Sequence, residues 1–421
     1  MKRAIVLAGG GAKGAYEAGF IKAIHEAKMD YQIVTGTSIG ALNACLLAQK
    51  DIDVLLHLWE SIDEKDVFAG GLPNLAGDLE HMLDQSHLAV SFFKAYVKEK
   101  GADISPLKQL IRDLLNEDKL LKSPIDFGLC TVHYPSLKPL YITKEEMPRQ
   151  HIYDYLLASA SCFPLFPIHH FANQSFIDGG YYDNVPIDLA FAMGADEVLV
   201  IDMAYPVKHP YYLHRPNIHY TYPPVPLNGF MDFSRDSLDC LMRLGYLQGQ
   251  KTMQKYVGNR YTFLPFQTSL FETVYQNVLY TERRIREYTS NSSKDHLYQQ
   301  FLESHFQQPL SKQDYLYVLL DWICELLDRD ISYAYHFDML VDDIIEDFQE
   351  YQKSDFSGIL NGDLHILEHL HNRGIVGMLL HFLFYPEHDK IGMDRLMSLF
   401  DKQYMMALFI KMLYLKKQSL L

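Results

Sequence analysis

Ile33-Val34-Thr35-Gly36-Thr37-Ser38-Ile39-Gly40-Ala41-Leu42-Asn43-Ala44 decides how the rest of the chain is read. An apolar, β-branched run ends, a serine stands between two glycines, and a helical pattern of small residues begins. Gly36-x-Ser38-x-Gly40 has the spacing of a nucleophile elbow, a strand-to-helix turn so tight that its serine is exposed at the apex. Side chains at the two glycines would collide as strand and helix fold back on each other. Ser38 also falls at a helix N-terminus, where unpaired N–H groups and the dipole favour negative charge. A plainer reading fits the same five residues: Ser38 caps a helix in a glycine-rich turn. The motif is short enough to arise from composition alone, so the surrounding chain has to decide.

Upstream, residues 4–8 form a short apolar run suited to a buried strand of a parallel sheet. Gly9-Gly10-Gly11-Ala12-Lys13-Gly14 follows, then a helical period over 15–26 and a second strand over 31–34. This is a βαβ opening. Three chemistries compete for the glycine loop. Gly9, Gly11 and Gly14 match a dinucleotide fingerprint, but that site needs an acidic residue closing the second strand. Here the strand closes on Thr35-Gly36, and Asp30 precedes it. A phosphate loop fails because Lys13 comes before the last glycine and no Lys-Ser/Thr pair follows. The third reading is an oxyanion hole, in which bare glycine N–H groups face a ligand beside the positive end of a helix. Strands one and two of a parallel sheet end at one edge, so the glycine loop and Ser38 are expected to be neighbours.

Downstream, helices are expected over 39–50, 51–60, 76–84, 89–100 and 105–116, with 63–75 loop-like. Strands are expected over 125–133 and 140–143 as antiparallel neighbours, then a helix over 152–160 ended by Pro164 and Pro167. Phe176-Ile177-Asp178-Gly179-Gly180 leads to a helix over 187–193 and a strand over 198–202. Alone, Asp178-Gly179 reads as a tight turn. A serine hydroxyl, however, needs a base. Sheet-type serine hydrolases usually order the triad Ser…Asp/Glu…His. His169 and His170 precede Asp178 and break that order, and the later histidines fall in a loop or in the helical C-terminal part. A carboxylate beside Ser38, sheltered from water and raised in pKa, would serve as base directly.

The three stretches occur together, in this order and at this spacing, and so the sequence resembles the patatin-like phospholipases. Ala41-Leu42-Asn43-Ala44, Ala158-Ser159-Ala160 with Pro164, Asn184-Val185-Pro186 and Gly194-Ala195-Asp196 extend the likeness over roughly residues 2–205. The resemblance implies an α/β fold, a three-layer α/β/α sandwich with a mostly parallel sheet. It implies a serine lipid acyl hydrolase acting on lipid esters through a Ser–Asp dyad without histidine. Ser38 would be the nucleophile, Asp178 the base, and Gly10 and Gly11 the oxyanion-hole donors. Lys13 would add positive charge near the hole. Gly9, Gly14, Gly36, Gly40, Gly179 and Gly180 complete the motifs. The alternative from another class is a catalytically silent patatin-fold scaffold or lipid-binding protein. The intact Ser38, Asp178 and glycine loop speak against it.

Residues 205–228 are rich in proline, tyrosine and histidine and are expected to be an ordered loop near Ser38, as a lid or acyl-binding wall or as a surface crossover. A helical pattern covers 229–257 and a last strand 261–265. The catalytic domain is therefore set at 1–265 and an all-helical domain at 266–421, with helices over 268–290, 294–306, 311–328, 331–352, 360–373, 374–384 and 391–416. In the last of these, Arg395, Lys402, Lys411, Lys416 and Lys417 outweigh Asp394 and Asp401 around a dense apolar run. A basic amphipathic helix can lie on a membrane as a peripheral contact. A core-packed helix with solvated lysines is the favoured reading.

Over 421 residues the net charge is −15, which argues against nucleic acid as a partner. Five cysteines are scattered singly, so neither a disulfide framework nor a zinc site is expected. No cofactor or metal is expected. The N-terminal segment lacks the long apolar core of a signal peptide, and no apolar run reaches the ~18 residues of a membrane span. A soluble, cytoplasmic protein is the expectation.

Overall fold

The computed structural model describes residues 1–69, 102–227, 229–289, 296–305, 308–352, 371–389 and 391–418. The helices expected over 76–84, 89–100 and most of 360–373 lie outside the described residues. The chain divides into two compact units, Met1–Met253 and Gln254–Leu421.

The first unit is built on one sheet. Strand β1 (Arg3–Leu7) pairs in parallel with β2 (Ile33–Thr37) on one side and with β7 (Glu197–Ile201) on the other. Ala4–Leu7 are wholly buried, as a continuous apolar run in a parallel sheet requires. Strand β2 runs further than expected, through Thr37. Thr35 and Thr37 are β-branched and their positions pair with Gly128 and Cys130 of β3 (Asp126–His133). Beyond β3, strands β4 (Pro139–Thr143), β5 (His169–Phe171) and β6 (Gln174–Asp178) are antiparallel. The stretch 205–228 is not wholly irregular: it contributes a strand, β8 (Ile218–Thr221), parallel to β7.

The alternation of side chains along β2 sets the layers. The Thr35 hydroxyl donates to the Pro186 carbonyl and the Thr37 hydroxyl to that of Asp183, beside helix α7 (Ile187–Ala192). Gly36 faces the other way. A Cβ there would lie 2.3 Å from the Gly40 carbonyl oxygen, in helix α2 (Ile39–Gln49). Helices α2 and α7 thus cover opposite faces, and the unit is the expected α/β/α sandwich. Other helices of the unit include α1 (Gly14–Glu26), α3 (Ile52–Ser61), α4 (Ser105–Leu114), α5 (Glu117–Lys122), α6 (Ile152–Ser159) and α8 (Arg235–Thr252).

The register of β3 explains the meeting of distant residues. One edge of β3 is held by β4 across Gly128–Val132. Its other edge is shared: β2 pairs up to Cys130, and β6, running the opposite way, pairs from Thr131. The C-terminal ends of β2 and β6 therefore point at each other. Residue 38 follows one end, and Asp178 closes the other.

The second unit is mainly helical: α9 (Leu270–Thr289), α10 (His296–Ser304), α11 (Lys312–Leu326), α12 (Phe337–Gln352), α13 (Asn372–Phe384), α14 (Met393–Leu399) and α15 (Asp401–Lys417). Residues 254–265 belong here, not to the first unit. Asp321 on α11 accepts hydrogen bonds from the Asn259 side chain and the Arg260 and Tyr261 amides. Strand β9 (Thr262–Phe263) pairs with β10 (Ala334–Tyr335), and Phe263 is wholly buried in this unit's core. Helix α15 lies in the same core: Met405, Ala407, Phe409, Ile410 and Leu413 are buried. Its lysines are bound within the unit, Lys411 to the Leu383 carbonyl and Lys416 to the Thr268 hydroxyl. The packed-core reading of this helix is the one that the fold adopts.

Candidate active site

Ser38 sits at the turn from β2 to α2 with φ 55° and ψ −125°, a backbone conformation that residues with a side chain seldom adopt. Two contacts hold the turn. The Ser38 amide donates to the Ser159 hydroxyl at 2.9 Å, and that hydroxyl donates to the Cys130 carbonyl at 2.7 Å. Gly40 lets α2 press on β1: a Cβ there would lie 2.4 Å from the Ala8 carbonyl oxygen. The Ser38 side chain makes no capping bond to its own helix. Its Oγ donates to Asp178 Oδ2 at 2.6 Å instead. That excludes the plain N-cap reading.

Asp178 is 5% exposed. Its other oxygen, Oδ1, accepts from the Gly180 amide at 2.8 Å. Burial pushes its pKa up from 3.8 to about 6, against the pull of the Ser38 and Gly180 hydrogen bonds.

The glycine loop lies alongside. A Cβ built on Gly9 would stand 3.1 Å from Ser38 Cβ. Asn184 fixes the loop from both sides: its carbonyl takes the Gly9 amide and its side chain donates to the Gly9 carbonyl, at 3.1 and 3.0 Å. Gly11 has φ 56° and packs under the Phe230 carbonyl, which takes the Ala12 amide at 2.7 Å. Gly10 and Gly11 open α1 through a short 3₁₀ turn, Gly11–Lys13.

Ser38, Asp178, Gly9–Gly11 and Lys13 line one cavity of about 640 Å³. Its walls carry apolar side chains such as Leu58, Trp59, Phe166, Met203 and Phe233. The stretch 205–228 lines it through Tyr205, Lys208, His209, Pro226 and Leu227, so it forms a wall of this cavity. Among the described residues no cluster of side chains is suited to a metal ion. His169 and His170 are engaged elsewhere, with Asp154 and Ser175. The sequence alone assigns no role to Ser159, Asn184 or His209. Ser159 and Asn184 sit in stretches that carry the family likeness, which is the signal available for them. Nothing in the local pattern around His209 marks it.

Residues 5–191 match the family model of the patatin-like phospholipases. Over 199 residues, 47% of this chain, it is 27% identical to the lysophospholipase nte1 of Aspergillus terreus and to that of Aspergillus fumigatus. The match spans 12% of either relative's length. Among solved structures, VipD from Legionella pneumophila aligns over 98% of this chain and 91% of its own, at TM-score 0.36 and 14% identity. ExoU from Pseudomonas aeruginosa, in complex with SpcU, aligns over 98% and 89%, at TM-score 0.30 and 13% identity.

Proposed function

We propose that this chain is a serine lipid acyl hydrolase in which Ser38 and Asp178 form a catalytic dyad. The 2.6 Å hydrogen bond from Ser38 Oγ to a buried carboxylate, in the lining of a largely apolar cavity, carries the reading. As Ser38 Oγ attacks the ester carbonyl, Asp178 takes its proton. The tetrahedral oxyanion forms beside the Gly10 and Gly11 amides, which supply the hole. Lys13, on the same cavity wall, adds positive charge. Asp178 returns the proton to the leaving alkoxide, and the alcohol or lysolipid departs. Water, activated by the same carboxylate, then hydrolyses the acyl-enzyme. A carboxylate raised toward the working pH is a better base than an ordinary one, provided it stays ionised.

The apolar walls suit an acyl chain, and the fungal relatives are named lysophospholipases. A monoacyl phospholipid is therefore the first substrate to test. A fluorophosphonate probe is expected to label the wild type at Ser38. Ser38→Ala is expected to lose both labelling and ester hydrolysis. Asp178→Asn is expected to lose activity by ~10²–10⁴, the usual contribution of a general base. Full hydrolysis by Ser38→Ala overturns the mechanism.

A further inference from the structure

We infer that the rim of this cavity is a docking surface for a phospholipid bilayer, from which the ester enters the site directly. The inference rests on the lipid-hydrolase reading. Its basis is a group of exposed tyrosines at and around the cavity mouth. Tyr181, Tyr182 and Tyr205 both line the cavity and are exposed, so they stand at its mouth. The group extends outward from them on two sides. The Tyr181 hydroxyl donates to the Phe163 carbonyl, and the Phe163 ring lies 5.8 Å from that of Tyr134. Tyr134 opens the β3–β4 turn, which also carries Leu137, 57% exposed. On the other side His209, also at the cavity, lies 6.1 Å ring to ring from Tyr211, 58% exposed. Tyr141 joins the group through Asp183, to which its hydroxyl donates at 3.0 Å. Among the described residues of this unit, the other exposed large apolar side chains are Met1, Val54 and Leu121.

Tyrosine has an apolar ring and a polar tip, which suits the boundary between acyl chains and headgroups. The charge agrees. In a chain of net charge −15, the rim stretches 133–138, 181–183 and 203–217 contain Lys138, Lys208 and Arg215 against one acidic residue, Asp183. A bilayer offers phosphates to those cations and an apolar interior to the rings. The ester would then pass from the bilayer to Ser38 without its acyl chain crossing water.

The test uses full-length protein and vesicles of phosphatidylcholine with about one part in five phosphatidylglycerol, enough to give an anionic surface. Tyr134→Ser, Leu137→Asn and Tyr211→Ser are combined; none of the three lines the cavity. Asn is chosen at 137 because the backbone there has φ 56°, which asparagine tolerates. Co-sedimentation is expected to show vesicle binding by the wild type and at least tenfold weaker binding by the triple variant. Both are expected to hydrolyse a short-chain soluble ester equally and to melt at similar temperatures. Equal vesicle binding by the two proteins overturns the inference, as does no binding by the wild type. So does a lipid-free self-association that the triple variant loses, which would make the group a contact between copies. Failure of the catalytic reading would appear separately, as no soluble-ester turnover by a wild type that still binds vesicles.

Discussion

At Asp178 one environment bears on both the proposed chemistry and the stability. Its folded-state pKa, about 6, lies above the ordinary 3.8 because burial penalises the charge. For a carboxyl raised on folding, the protonated form favours the fold. That contribution is full below the unfolded pKa and is lost as pH rises through about 6. At pH 8 the ionised carboxylate costs the fold on the order of 2–3 kcal/mol. Asp178→Asn removes the charge while keeping an acceptor for Ser38. It is expected to be more stable than wild type in urea melts at pH 8, with the advantage shrinking as pH falls from about 6 to about 4 and absent below that. The same titration predicts that fluorophosphonate labelling of the wild type falls along a one-proton limb below pH 6. A labelling rate flat from pH 8 to pH 5 would contradict a base at this position.

At the scale of elements, the site is a matter of how closely turns and strands approach. Gly179 and Gly180 look alike in sequence but sit in different surroundings. A Cβ at Gly179 would lie 2.2 Å from the Cys130 carbonyl oxygen and 2.7 Å from its carbon, both backbone of β3. At Gly180 the obstacles are side-chain atoms, Asn184 Oδ1 at 2.9 Å and Asp178 Oδ1 at 3.1 Å. Backbone in a sheet cannot yield, whereas side chains can shift by a few tenths of an ångström. Gly179→Ala is expected to lower the melting temperature by ten degrees or more or to abolish soluble expression. Gly180→Ala is expected to fold, with labelling of Ser38 reduced because both side chains that would move belong to the site. Similar melts for the two variants would show that the β6 turn is less constrained than its geometry implies.

Much of this arrangement was legible in the chain. Glycine spacings, apolar runs and the Asp-Gly-Gly stretch are local signals, and each marks a turn whose geometry local residues dictate. The junction of β2 and β6 on one edge of β3 was not legible, because register is set by long-range pairing. Ser159 and Asn184 escaped for the same reason: their partners, the Ser38 amide and Gly9, lie more than a hundred residues away. Strand β8 was hidden in a stretch whose prolines and tyrosines signal loop, and its burial against β7 overrode that composition.

Across the whole molecule, composition alone leaves helix α15 open to two fates. Its run of Met405, Met406, Phe409, Ile410 and Leu413, flanked by lysines, suits a membrane surface as well as a protein core. Among the described residues no helix is long and apolar enough to cross a membrane. The two fates differ in what a truncation costs in water. A helix lying on lipid would lose little stability when one apolar side chain is cut back, because that face is unpaired in solution. In the core of the helical unit the same change opens a cavity. Phe409 is wholly buried there, in one cluster with Phe348 and Phe382. Phe409→Ala is expected to cost ~3–5 kcal/mol, the range for deleting a buried aromatic ring. Urea melts followed by far-UV circular dichroism measure it without lipid. Leu399→Ala, at an exposed position just before α15, is the control and is expected to change stability by less than ~0.5 kcal/mol. If Phe409→Ala behaves like the control, α15 is not a core helix in solution. Peripheral membrane contact would then have to be sought there rather than at the tyrosine rim.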